Sequence, residues 1–301
     1  MGDARNVLVA GAGGGFDVFS GLPLYLALRA EGRNVHLANL SFSNLEGEKR
    51  SHALYRVTAD LKIEDGRYFP EHYLCRFLRS KGIEAPVWGF ERTGVAPIAE
   101  AYRILKEELR LDAVLLVDGG TDSLMRGDES GLGTPQEDVA SMVAADALGI
   151  ERTFLLCLGF GVDDYHGVSH VDVLRAVQDL SEHYLGAWAL TPAMEEARAM
   201  AAAVEYAHSR QPDYPSIVCS SILSALEGGF GDVHRTERTA GSRLFINPLM
   251  CFYWMFRLRG VVGRLLYADR VRNSTTYTEL NEGIRAFRRE IVPRPKTSMP
   301  L

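Results

Sequence analysis

Three glycine-rich turns in this chain end in aspartate: GGGFD at Asp17, DGGTD at Asp122, and GFGVDD at Asp163 and Asp164. Each follows a short apolar run, respectively NVLVA, AVLLV and TFLLC. An apolar run that breaks at glycines reads as a strand entering a loop. In an open α/β sheet, ligands bind outside the carboxyl ends of the strands. The three turns should therefore gather at one edge. There the N–H groups of Gly13, Gly14, Gly15 and Gly120 would stand beside the carboxylates of Asp17, Asp118, Asp122 and Asp163. A fourth turn of this kind, GGFGD, ends at Asp232. Any one of these turns has a plain structural explanation, since glycine and aspartate are ordinary turn and cap residues. Their recurrence is what points to a shared site.

A dinucleotide is disfavoured. The fingerprint GxGxxG has Phe16 where its third glycine belongs, and the second strand ends in Asn39-Leu40-Ser41 rather than an acid. That argues against NAD. The pattern GxxxxGK[ST] is absent as well. A glycine turn at a helix start still offers N–H donors to an anion, and Asp17 opposes this unless a cation intervenes. Magnesium or manganese suits such a place, because it takes carboxylate and phosphate oxygens together. Asp17, Asp118 and Asp122 are the candidate metal ligands. Without a metal, the same acids would bind amines or hydroxyls of a polar ligand. Asp122, Asp163 and His166 are the candidates for proton transfer: a buried carboxyl with a raised pKa can act as a base, and histidine titrates near neutrality. Asn247, closing the apolar stretch RLFIN, completes the ligand-binding set.

Other chemistries find little support. His166 and His170 in DYHGVSH are a poor zinc pair, because HExxH is absent and Gly167 between them suggests a turn. Cys75, Cys157, Cys219 and Cys251 form no CxxC pair, which argues against structural zinc and a disulfide framework. Cys157, inside TFLLCLGF, reads as a buried small hydrophobe. There is no GxSxG elbow, and Ser20 and Ser123 read as caps. The loop MRGDESGLG is polar and glycine-rich and suits a lid over the site.

The elements that must position these residues alternate. NVLVA is a strand, PLYLALRAEG a helix from Pro23, and NVHLANLSF a strand, which makes a βαβ unit. A helix is expected over 97–111, a strand at DAVLLVDGG, and a helix from the Thr134-Pro135-Gln136-Glu137 start to Leu148. TFLLCLGFG is the next strand. Helices follow over 168–183 and from Thr191-Pro192 to His208. SIVCSSILSAL is ambiguous. The pattern predicts an α/β, Rossmann-like three-layer fold with a mostly parallel sheet. We read a single domain over 1–290, with an insertion near 60–88 around Asp65-Gly66 and Pro70. The proline-rich tail 291–301 should be extended or disordered.

The chain has 301 residues and a net charge of -6 with no basic tract, so nucleic-acid binding has no electrostatic footprint. The N-terminus does not read as a signal peptide. Arg257, Arg259 and Arg264 interrupt the longest apolar segment, so a membrane span is not expected. These features suit a cytoplasmic protein with a small-molecule substrate. The aromatic segment 252–256 reads as a buried helix or as a helix through which a homo-oligomer forms.

The long motifs GAGGGFDVFSGLPL, VDGGTDSLMRGDESGLGTPQEDVASM and GFGVDDYHGVSH resemble those of the DUF1152 family. The resemblance covers most of the chain and implies that the three segments form one design. It implies no activity. The residues themselves suggest an enzyme that hydrolyses or transfers a group on a small polar metabolite. The alternative is a non-catalytic protein that binds a nucleotide or metabolite in the same acidic, glycine-lined pocket.

Overall fold

A computed structural model describes residues 2–64 and 66–299. Its centre is a nine-stranded sheet in the order β3-β4-β5-β2-β1-β6-β7-β11-β8. The strands are β1 (Asn6–Gly11), β2 (Asn34–Ser41), β3 (Glu48–Ser51), β4 (Leu54–Val57), β5 (Val87–Glu91), β6 (Ala113–Asp118), β7 (Thr153–Cys157), β8 (Tyr184–Ala189) and β11 (Phe252–Arg257). A separate pair joins β9 (Gly231–Asp232) to β10 (Phe245–Ile246). The run β5-β2-β1-β6-β7 is wholly parallel. Counted along the chain, those five strands have the order 3-2-1-4-5 of a doubly wound nucleotide-binding sheet. The fold is therefore α/β and Rossmann-like.

Strand periodicity divides the core into two layers. Leu8, Ala10, Ala38, Leu40, Val114 and Leu116 face one side. Val7, Val9, Val35, Leu37, Leu115 and Val117 face the other. Strands buried on both faces need apolar residues at every position, which is why β6 reads AVLLV without interruption. The first layer is covered by α4 (Val95–Glu108), α5 (Pro135–Asp146), α6 (His170–Asp179), α9 (Leu258–Arg264), α10 (Ala268–Val271) and α11 (Tyr277–Glu290). The second is covered by α1 (Asp17–Ser20), α2 (Leu22–Ala30), α3 (Pro70–Ser80), α7 (Glu195–Arg210) and α8 (Ile217–Leu226).

Several expectations change. The aromatic segment is a strand, not a helix. β11 runs antiparallel between β7 and β8, with Trp254 opposite Cys157 and Tyr253 opposite Trp188. Its rings alternate between the two layers, which a helix could not do: Phe256 enters the first core and Tyr253 the second. SIVCSSILSAL resolves as a helix, capped by Ser216 Oγ, which accepts from Cys219 N at 3.1 Å. The alternation is interrupted by the β3–β4 hairpin, while residues 70–80 form a regular helix. Asp65 lies outside the described residues. The chain from 291 to 299 has no regular structure and is tied back by side chains. Arg294 pairs with Asp128 at 3.0 Å and Glu129 at 2.9 Å, and Lys296 with Asp164 at 2.9 Å. All four cysteines are buried and free. Among the described residues, no helix is long and apolar enough to cross a membrane.

Phe256 is fully buried within an internal strand. Phe256→Ala should destabilise the protein by about 3–5 kcal/mol in denaturant titration. An unchanged unfolding midpoint would contradict the placement of β11 inside the sheet.

Candidate functional site

β1 and β6 are neighbours, and the crossovers that follow them leave in opposite directions. A crevice must open between their carboxyl ends. It is a cleft of about 640 Å³. The turn after β1 contributes Gly13, Gly14, Gly15 and Asp17, and β6 with its turn contributes Asp118, Gly119 and Asp122. Asp163 and His166 come from the turn after β7. The three glycine–aspartate turns thus meet at one place. Gly120 lies just behind them, where an added Cβ would sit 3.0 Å from both oxygens of Asp163. Asp232 is elsewhere, on β9, bonded to His234 at 3.0 Å.

Two candidates have other surroundings. Asn247 does not line the cleft: its amide donates to Phe160 O at 3.2 Å and Phe245 O at 2.9 Å, and its oxygen caps the turn that follows. His170 packs against Phe160 at 5.3 Å between ring centroids and borders a different hollow, beside Lys296. The loop MRGDESGLG is clamped rather than free to act as a lid. Arg288 donates to Gly127 O at 2.8 Å and Glu129 O at 2.7 Å, and the fully buried Glu129 accepts from Gly127 N at 2.8 Å as well as pairing with Arg294.

The acids are held in different ways. Asp17 opens α1 and turns back to accept from Gly13 N at 2.6 Å. Gly14 and Gly15, at φ 96° and 61°, make that reversal without the strain a side chain would bring. Asp118, the last residue of β6, accepts from Ser123 Oγ at 2.5 Å. Asp122 accepts from Thr134 N at 2.7 Å and Oγ1 at 3.2 Å. Thr134 therefore serves Asp122 instead of capping α5, as its position before Pro135 had suggested. Asp163 accepts from Thr121 N at 2.6 Å and Oγ1 at 3.2 Å, which ties the second turn to the third.

A further acid joins them. Asp138 sits in the first turn of α5, 1% exposed, with both carboxylate oxygens buried and without a hydrogen-bond partner among the described residues. Ser141, one turn on, docks the helix by donating to Ala12 O at 2.7 Å. That contact points Asp138 at the glycine turn: a Cβ on Gly13 would lie 2.5 Å from its Oδ1. Asp17, Asp118 and Asp138 can each place one oxygen within 4.8 Å of the others. Asp122, the third ligand expected from the sequence, is not in this closest trio.

Burial dominates the electrostatics. It pushes Asp17 from 3.8 to about 8, with Gly13 N opposing and Asp122 adding repulsion. Asp118 and Asp138 are driven up by burial and then by the charge of Asp122, with Asp17 adding to both, and Asp163 by burial and Asp122. Asp122 is raised by burial, against the hydrogen bonds from Thr134 and the charge of His166. The floor of the cleft contains no lysine or arginine among the described residues. Positive side chains, Arg92 and Arg238, stand at its exposed rim.

Fold and site together define an α/β protein with a Rossmann-order sheet and a buried acidic cluster at its switch point. A family model described as a protein of unknown function, DUF1152, matches residues 40–288. The chain belongs to that family. Comparison with curated proteins gives no match.

The raised Asp17 pKa has a consequence for stability. Between its unfolded value near 4 and about 8, the folded state holds a proton that the unfolded chain releases, so stability falls as pH rises. Buried His72 and the half-buried His36 and His208 have pKa values lowered by desolvation and act the opposite way, below about pH 6.5. In chelator, the denaturation midpoint should therefore drop from about pH 6.5 to about pH 8, and Asp17→Asn should flatten that drop. A profile equally steep in the variant would contradict the assignment.

Proposed function

We propose that this protein is a divalent-metal-dependent enzyme that hydrolyses or transfers a group on a small polar metabolite. Asp17, Asp118 and Asp138 hold the metal in this reading. The observation that carries it is Asp138. A carboxylate fully removed from water normally finds donors, because leaving it unpaired costs several kcal/mol. Asp138 has none among the described residues, and it faces two more carboxylates. A cation would satisfy all three. An all-oxygen donor set suits magnesium or manganese, which bind carboxylates and substrate oxygens together.

Such an ion supplies a Lewis acid beside the bound substrate. The chain's own groups do the rest. The glycine turn leaves room for a ligand against the backbone. Asp122 and Asp163 are fixed by Thr134 and Thr121 at the edge of the trio, where either can take a proton. His166, exposed on the same cleft and electrostatically coupled to Asp122, can relay that proton to solvent.

Thermal melting of chelator-stripped protein tests the metal site. Manganese at about a hundred times its dissociation constant should stabilise the native state by about 2.7 kcal/mol. Asp138→Asn should abolish the shift. In chelator the same variant should melt no lower than wild type, since it removes a buried, unpaired carboxyl. No shift in wild type, or an equal shift in the variant, would sink the proposal.

A further inference from the structure

Resting on the metal reading above, we propose that the cleft takes a phosphorylated small molecule, with Arg92 at the rim recognising the phosphate. Arg92 follows β5 directly and so stands at the same carboxyl edge as the acids. Its guanidinium lies 4.7 Å from the ring centroid of Tyr277 and 5.4 Å from that of Phe42. Phe42 in turn packs on the glycine turn, where a Cβ on Gly14 would come within 2.6 Å of it. Arg92 forms an ion pair with the buried Glu137 at 3.6 Å, too long for a hydrogen bond, and Glu137 accepts instead from Tyr277 Oη at 2.9 Å. Among the described residues, Arg92 donates no hydrogen bond.

A guanidinium held between two rings with its donors unused is prepared for a planar or tetrahedral anion. Arg238, across the opening, gives one donor to Pro215 O at 2.9 Å and is otherwise exposed. The ligand must therefore satisfy positive charge at the rim and a carboxylate floor beneath it. A cationic ligand would be repelled at the rim, and a neutral one would leave the arginine donors idle. A bare anion would be repelled by the floor. A phosphate accompanied by a divalent cation satisfies both, because its several oxygens can meet the ion and the guanidinium at once. The unpartnered Asp138 carboxylate is the independent sign that something positively charged belongs on that floor.

Equilibrium dialysis of labelled pyrophosphate against the full chain, with manganese and with chelator, tests this. With manganese, saturable binding to one site is expected. Arg92→Met, at an exposed position that the fold tolerates, should weaken it about tenfold or more, with manganese affinity unchanged. Manganese binding without pyrophosphate binding would overturn the phosphate assignment and leave the metal site standing. Pyrophosphate binding unaltered in Arg92→Met would overturn the role of Arg92. If manganese fails to bind, the metal reading falls by itself. Pyrophosphate binding in chelator that Arg92→Met removes would then still uphold the phosphate site, and no binding in either condition would overturn it.

Discussion

Carboxyl groups of Asp17, Asp118, Asp122, Asp138 and Asp163 are all withdrawn from water at one end of the sheet, and they repel one another. Most features of the surrounding structure are answers to that repulsion. Thr121 and Thr134 each give a backbone N–H and a hydroxyl to one acid. Ser123 and Gly13 serve two others. Among the described residues, Asp138 alone of the five is left without a donor, and no lysine or arginine reaches the floor of the cluster. An arrangement so unfavourable in isolation persists only if the rest of the fold enforces it or a ligand repays it.

The fold enforces it through topology. Parallel strands end together, so the turns after β1, β6 and β7 are brought side by side whatever their sequences. The alternation of β6 then sends Asp118 to the layer of Val114 and Leu116, where α5 lies. Glycines at 13, 119 and 120 leave the gaps into which carboxylates fit. Tyr253 on β11 donates to Ser20 O at 2.5 Å and so pins α1, which carries Asp17, against the sheet. Helix α11 and the tail contribute from outside by holding the 126–129 loop in place, through Arg288 and Arg294 respectively.

Four of the five parallel strands were legible in the sequence, because strands buried on both faces announce themselves as apolar runs, whereas β5, the short VWGFE broken by Gly89, began within the region read as an insertion. The same signal located Asp17, Asp118, Asp122 and Asp163. Asp138 was missed because acids in the first turn of a helix are expected on electrostatic grounds alone. One clue was available. The stretch DVASMVAA is small or apolar on every side, as suits a helix buried all round, and an acid within it faces protein rather than water. The antiparallel half was less legible. FYWMFR lacks a turn signal and a clear period, and the hairpin EKRSHALYRV is a polar edge pair without an apolar run. Arg92 shows no motif at all, since its aromatic clamp joins Phe42 to Tyr277 across most of the chain.

The most direct measurement is an anomalous difference map from crystals of the protein grown with manganese. One strong peak is expected, bounded by carboxylate oxygens of Asp17, Asp118 and Asp138. A floor without a peak at saturating manganese, with the Asp138 carboxyl bonded to a neighbouring acid through a shared proton, would contradict it.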